Sequence, residues 1–471
     1  MLTFAQSVVL DKRFHDRTAR VAARLAERFG EIGSHVGLWG ENSPDYLVAL
    51  FAVMRAGHVA VPLQTRLSAR ELAAVVRSAG LRGILAARSF PPTLGDAPGD
   101  VPVYPLTPSM ESAPPRGRVK ELGEEDVAVL LCSSGSAGSV KMIPLTRRSL
   151  LDHARAVCEH LRVTRHDSWL VCLPFYHIGG LAIAFRCWVS GASLVIVQSA
   201  DAEEINRTLD EGKATIVSVV PTMLERMLTR REGVPFPKSL RAIIVGGGPV
   251  PAELLTRCSQ AYATYGLTEA GSMVTCARPG CGDEERKTCG PPIPGTQIQI
   301  LNEAGEEVKR GEAGEIVVRG PGAAQTYWGD PEDAARTFRA GWIHTGDVGR
   351  VDENGFLTVE ARRTDLIVSG GENMYPAEIE AALCEHPRIV EAVVLPMDDV
   401  KWGQSPGALV VLSPGPLLQK SHIYSFLAGR LARYKFPRKI VIAEEIPRLG
   451  NGKPDLNEVR RLLAEGADTP A

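Results

Sequence analysis

Val127-Ala128-Val129-Leu130-Leu131-Cys132-Ser133-Ser134-Gly135-Ser136-Ala137-Gly138-Ser139-Val140-Lys141: an apolar run gives way at once to small hydroxyl residues, two glycines and a lysine. The run is too short for a helix and suits a strand buried on both faces. The polar stretch after it reads as a phosphate cradle. Glycines let backbone N–H groups approach an anion, the serine hydroxyls donate, and Lys141 supplies charge. The spacing is not that of the GxxxxGK[ST] loop. On this stretch alone a flexible surface loop stays open as the alternative.

Outward from it, similar runs recur at residues 169–173, 194–197, 215–220 and 241–245, each followed by a turn and a helical stretch. Nearer the start, Val21, Leu25 and Phe29 share a helical face, His35–Trp39 is a short strand, and Gly40-Glu41-Asn42-Ser43 is a turn with a helix cap. Strand–helix alternation predicts a parallel, doubly wound sheet with ligands at the carboxyl ends of its strands. Around residue 290 the texture changes. Gly290-Pro291-Pro292-Ile293-Pro294-Gly295 punctuates the chain, and alternating stretches at 297–301, 315–319 and 356–360 read as a β-rich subdomain. Beyond Arg362 an α+β unit is expected: helices at 376–384 and 421–434, strands at 391–395, 408–412 and 439–443. The fold class is therefore α/β. Residues 1–361 form a large domain with its β-rich subdomain at about 290–361, and residues 362–471 form a small C-terminal domain.

Four more loops can carry chemistry. Gly246-Gly247-Gly248-Pro249 allows a flat ring or a phosphate close to the backbone; a plain tight turn is the alternative. Ala263-Thr264-Tyr265-Gly266-Leu267-Thr268-Glu269 offers an aromatic to stack a base, a hydroxyl for phosphate and a carboxylate for Mg²⁺; helix capping by Thr268 or Glu269 is the competing reading. In Gly341-Trp342-Ile343-His344-Thr345-Gly346-Asp347, Asp347 can accept from both ribose hydroxyls, and Arg362 adds a positive contact. Lys453 lies in the glycine-flanked loop Leu449-Gly450-Asn451-Gly452-Lys453, where a solvated lysine is the plain reading.

Composition narrows the classes. The 471 residues are 44% apolar and 23% charged, with a formal charge of −2, so no global field recruits nucleic acid or an anionic membrane. No apolar run approaches the roughly 18–20 residues of a membrane span. The start, with Asp11 and Lys12 after a short apolar stretch, lacks the basic first region of a signal peptide. Nine scattered cysteines with no CxxC, and only Cys276, Cys281 and Cys289 near one another, read as free thiols of a cytoplasmic protein. The sequence leaves oligomeric state open, a homodimer included.

Together, in this order and spacing, the five segments resemble the acyl-adenylate-forming superfamily of acyl- and aryl-CoA synthetases, adenylation domains and luciferases. The likeness runs from about Ala19 to Leu463. Leu173-Pro174-Phe175-Tyr176-His177, Ser218-Val219-Val220-Pro221-Thr222-Met223-Leu224, the stretch from Asp365 to Pro376 and Lys401-Trp402-Gly403-Gln404 look more narrowly like the o-succinylbenzoate–CoA ligases of menaquinone synthesis. Chlorobenzoate–CoA ligases share much of this set. The resemblance implies ATP, Mg²⁺ and CoA, with a small carboxylic acid as substrate. Ser133, Ser134, Gly135, Ser136, Gly138 and Lys141 would cradle the β- and γ-phosphates. Gly247, Gly248 and Pro249 would face adenine, with Tyr265 and Gly266 beside it. Thr268 would touch the α-phosphate, Glu269 would hold Mg²⁺, and Asp347 and Arg362 would bind ribose. Lys453 would bridge the acid and the α-phosphate, while His177 gates the acid pocket. After rotation of a mobile C-terminal domain, Gly370 and Gly371 would line the pantetheine tunnel, with Trp402, Tyr434 and Arg438 holding CoA.

The chain departs from that pattern at Ala137, Val140 and Met142 in the phosphate loop, and at Ala361 and Thr364 near the hinge. Met142 matters most if its position needs φ > 0, a strain of about 1–3 kcal/mol. Two alternatives stay open: transfer to a carrier protein's pantetheine arm, and a binding protein that has lost catalysis. Arg186 is a candidate for a second carboxylate, with a structural role as the alternative. Gly179, Gly180, Ala182 and Ala184 suggest either room for an aromatic ring or close helix packing.

Overall fold

The computed structural model of the chain describes residues 5–87, 101–106, 122–134, 140–197, 201–248, 250–361, 366–416, 418–448 and 454–469, with backbone only at 133, 134, 140 and 361. The short apolar runs are strands, and they assemble into two wound sheets. One has the order Gln6–Val8, Ser193–Ile196, Ser168–Val171, Ile216–Val219, Ala242–Val245, Ala261–Leu267, Ser272–Cys276; its inner pairs are parallel and both edges antiparallel. The other runs Val103–Pro105, Gly83–Ala86, His35–Trp39, Val59–Leu63, Val127–Ser134, Val140–Thr146, parallel except for the last pair. One large core joins the two sheets: Leu47, Leu50 and Val129 pack in it with Trp169, Phe175 and Ile244.

Local chemistry sets the helix ends. Ser43 caps Pro44–Arg55 by accepting from the Tyr46 N–H, and proline takes the first turn, where no donor is needed. Ser68 and Glu71 form a reciprocal capping box on Ala69–Ala79, which ends at the left-handed Gly80.

The β-rich region is a five-stranded antiparallel sheet of Gln297–Leu301, Gly314–Arg319, Trp342–Val351, Phe338–Arg339 and Leu357–Ala361. The C-terminal domain has its own sheet, Glu372–Met374, Ile367–Ser369, Gly403–Leu412, Ile389–Asp399 and Lys439–Ala443, and its own core around Ile379, Val410 and Ile440. Its helix Pro376–Cys384 has the expected bounds. The expected helix 421–434 does not run its length: Lys420–Leu427 is helical, Gly429 turns the chain at φ 81°, and Arg433–Lys435 is a separate 3-10 turn. Among the described residues no helix is long and apolar enough to cross a membrane.

Candidate active site

The carboxyl ends of Ile216–Val219 and Ala242–Val245 lie side by side, and the glycine turn leaves the second of them. The Gly246 N–H donates to the Val219 carbonyl at 3.1 Å, and a Cβ at Gly246 would sit 2.5 Å from the Thr264 methyl. Gly247 is at φ 76°. A Cβ at Gly248 would touch Val368 and Pro221 at 3.7 and 3.9 Å, so this turn lies against the C-terminal domain with room for a small side chain.

The next strand, Ala261–Leu267, carries Tyr265 into the core, where its hydroxyl donates to Asp347 Oδ2 at 2.7 Å. Asp347 stands in the strand Trp342–Val351, where the glycines of the sequence suggest a loop. Gly341 turns the chain just before that strand, and Gly346, at φ 70°, lies where its pairing with Gly314–Arg319 shifts register, so the strand continues through it. Gly266 sits at a register shift, and a Cβ there would overlap the Ser272 carbonyl, so close backbone approach accounts for it. The chain then turns through the 3-10 segment Thr268–Ala270, stopped by Gly271 at φ 76°. Glu269 Oε1 accepts from the Tyr327 hydroxyl at 2.8 Å, while its other oxygen has no partner among the described residues. A carboxylate oxygen at a glycine-capped turn suits a hard cation such as Mg²⁺.

Lys141 is placed differently from expectation. Its ammonium is buried, paired with Asp333 Oδ2 at 2.5 Å and 5.0 Å from the centre of the Tyr327 ring. Burial pushes the Asp333 carboxyl up, but Lys141 and Arg336 outweigh it and hold it below the usual range. Met142 lies in the extended strand Val140–Thr146, packed beside Leu130, and is not among the residues with positive φ, so the anticipated strain does not arise.

Among the residues expected around the acid, His177 precedes the helix Ile178–Ser190, and its Nε2 is 2.8 Å from Glu372 Oε2. Gln64 donates to the same oxygen at 2.8 Å, and Arg66 lies 3.5 Å from the other. Gly180 supports helix packing: a Cβ would overlap the carbonyls of Leu173 and Pro174. One turn and a half further along, Arg186 is buried, donates to the Ser272 hydroxyl at 3.1 Å, and stands over the Trp169 ring at 5.3 Å. No carboxylate among the described residues pairs with it, its Nε has no partner, and burial lowers it to about 10. Ser272 itself holds φ 124°, a strained conformation for a side chain.

Of the residues expected to hold CoA, Gly371 and Tyr434 contact the large domain at the seam, and Gly370 packs beside Trp402. Gly370 and Gly371 adopt φ 58° and 90°; a Cβ on the first would stand 2.7 Å from Trp402, and one on the second 2.8 Å from Val220. The Arg226 guanidinium and the Lys401 ammonium stand 4.6 and 5.0 Å from the Trp402 ring centre. The Tyr434 hydroxyl meets Gln64 at 3.2 Å, and Arg438 is exposed. Gly135, Ser136, Gly138, Pro249, Arg362 and Lys453, with Ala137 and Thr364, lie outside the described residues, as do the side chains of Ser133, Ser134 and Val140. Glu372, Gln64, Asp333 and Tyr327 contact the expected site residues although sequence reasoning does not single them out. Only Glu372 carries a local signal, its place directly after the glycine pair.

Comparison with known proteins gives a consistent result. The model of the AMP-binding enzyme family matches residues 12–328, and that of the AMP-binding enzyme C-terminal domain matches 378–453. A 2-succinylbenzoate–CoA ligase of Bacillus cereus is 36% identical over 96% of this chain and 93% of its own length. Among solved structures, a double mutant of o-succinylbenzoate CoA synthetase from Bacillus subtilis, bound to its product analogue OSB-NCoA, superposes with a TM-score of 0.90. It is 29% identical and the match covers 97% of this chain and 94% of that one. The Bacillus subtilis synthetase in complex with the acyl-adenylate OSB-AMP is 30% identical over 97% and 93% of the two chains, and superposes at 0.71.

Proposed function

We propose, from the premise that this chain belongs to the AMP-binding enzyme family, that its acid substrate is o-succinylbenzoate and that the residues above divide two half-reactions between them. The enzyme is an AMP-forming acid–CoA ligase that uses ATP, Mg²⁺ and CoA. In the first half-reaction the acid's carboxylate attacks the α-phosphorus and pyrophosphate leaves. In the second the CoA thiol attacks the acyl carbon of the mixed anhydride, AMP leaves, and the thiol proton is released.

In this reading Gly247, Gly248 and Pro249 seat the adenine. Tyr265 holds the Asp347 carboxylate in place, and that carboxylate binds the ribose, with Arg362 beside it. Thr268 donates to the α-phosphate. Mg²⁺ held by Glu269 supplies positive charge where two anions must meet. The loop from Ser133 to Gly138 binds the outer phosphates, and Lys141, engaged by Asp333, anchors the hairpin from which that loop springs. Lys453 bridges carboxylate and phosphate in the first step. Gly370 and Gly371 give the pantetheine arm a side-chain-free wall in the second, with Trp402, Tyr434 and Arg438 for the rest of CoA. The higher similarity to the product-analogue complex than to the adenylate complex, 0.90 against 0.71 at nearly equal identity, supports the view that this arrangement of domains serves the second step.

Arg186 carries the choice of acid. A guanidinium buried without a carboxylate costs several kcal/mol unless something offsets it, and a substrate with a second carboxylate supplies that partner. Arg186→Met is expected to raise KM for o-succinylbenzoate by roughly 10- to 100-fold, the worth of a charge-assisted hydrogen bond, while a benzoate without the second carboxylate is handled as before. Mass spectrometry of thioester products from a panel of acids checks both. An equal effect on both acids, or a thioester formed only from a monocarboxylate, rules the assignment out.

A further inference from the structure

Each domain has its own apolar core, and polar contacts across the seam between them gather on three residues at the start of the helix Ala69–Ala79. Ser68 Oγ donates to the Arg430 carbonyl at 3.1 Å. Arg70 forks onto Glu385 at 2.6 and 2.7 Å. Glu71 works twice: one oxygen accepts from the Ser68 N–H at 2.7 Å to close the capping box, and the other accepts from Lys435 Nζ at 2.6 Å. Lys435 is 2% exposed and also bonds Glu378 of its own domain at 2.6 Å. Its neighbour Tyr434 reaches Gln64, which donates to Glu372 beside His177, so the cluster is continuous with the acid pocket.

We propose that this helix turn is the docking clamp for the thioester-forming arrangement, and that Glu71 and Lys435 are positioning residues for the second half-reaction. The chemistry suits a contact that must form and break. When the domains part, Lys435 keeps Glu378 and Glu71 keeps its capping role, so neither group is orphaned. When they meet, both charges leave water together and the pair fixes the register of the seam. The inference rests on the two-step reaction proposed above.

The test is Glu71→Gln. Glutamine still closes a capping box but loses the charge facing Lys435. ATP–pyrophosphate exchange is expected to stay within about twofold of wild type. Thioester formation from supplied o-succinylbenzoyl-adenylate and CoA is expected to fall roughly 10-fold or more. Hydrogen–deuterium exchange should rise at residues 69–79 and 376–384 with the melting temperature unchanged. Equal loss of both half-reactions, loss of neither, or unchanged hydrogen exchange overturns the proposal. Arg70→Ala, on the exposed side of the clamp, repeats the test if Glu71→Gln melts early, with thioester formation then expected to fall only a few-fold, the worth of an exposed pair. If wild type forms no o-succinylbenzoyl thioester the substrate assignment fails, and the hydrogen-exchange comparison still decides the clamp.

Discussion

Glu372 follows Gly370-Gly371 directly in the chain, and on its carboxylate the polar groups of both domains meet. Burial pushes it up, but the facing His177, then Arg66 and Lys435, outweigh burial and hold it below the usual carboxylate value. A depressed carboxylate contributes stability that is fully present above its unfolded value and lost as pH falls through its folded one. Glu372→Gln is therefore expected to cost about 2 kcal/mol at neutral pH. Urea unfolding should show that gap fully present above the ordinary carboxylate range and closing as pH falls below it; a gap that persists or widens in acid contradicts this account. At this scale the sequence is informative where chemistry is local: His177 stands at a helix start and the glycine pair at the domain seam, whereas Asp347 lies inside a strand that its flanking glycines disguise as a loop. It is silent on Asp333 for Lys141 and on Glu372 for His177, because those partners lie nearly two hundred positions away and only the fold brings them together.

The helix Ile178–Ser190 illustrates what elements add to residues. Its small residues admit two readings, ring space or close packing, and Gly180 supports the second. Neither carbonyl it faces can retreat cheaply: Leu173 accepts from Asn42 at 2.8 Å and Pro174 from the His177 N–H at 3.1 Å. Gly180→Ala would gain about 1 kcal/mol of helix propensity, yet the methyl forced against pinned carbonyls costs more. A net loss of about 2 kcal/mol is expected by thermal unfolding, with His177 displaced; a stabilised variant would return the site to the pocket reading. Strand positions are legible because short apolar runs bounded by turns leave little else. Lengths are not. The run at 408–412 extends back to Gly403, and the segment around Asp347 is a ten-residue strand, since pairing with neighbours carries glycines and polar residues that periodicity alone assigns to loops. Gly429 ends a helix for which the apolar spacing showed no stop.

Across the whole molecule, wound sheets, β-rich region and C-terminal domain are all legible in the texture of the sequence, whereas the way the domains meet is not. That seam is built from two kinds of ion pair. Arg70 and Glu385 are exposed, at 55% and 39%, whereas Lys435 and Glu71 are buried, at 2% and 10%. Salt separates them: the screening length shrinks from about 10 Å at 0.1 M to about 3 Å at 1 M, which weakens pairs in water and leaves buried ones largely intact. Raising salt should therefore slow wild-type thioester formation only a few-fold, by the worth of the exposed fork, roughly 0.5–1 kcal/mol. Arg70→Ala removes that fork in advance, so its rate at low salt should approach the wild-type rate at high salt, and its salt dependence should be flatter. CoA carries phosphates whose binding also responds to salt, so the comparison is made at saturating CoA, where only the clamp differs between the two proteins. Identical salt slopes would mean that the exposed pair holds nothing and that Lys435 bears the docking alone.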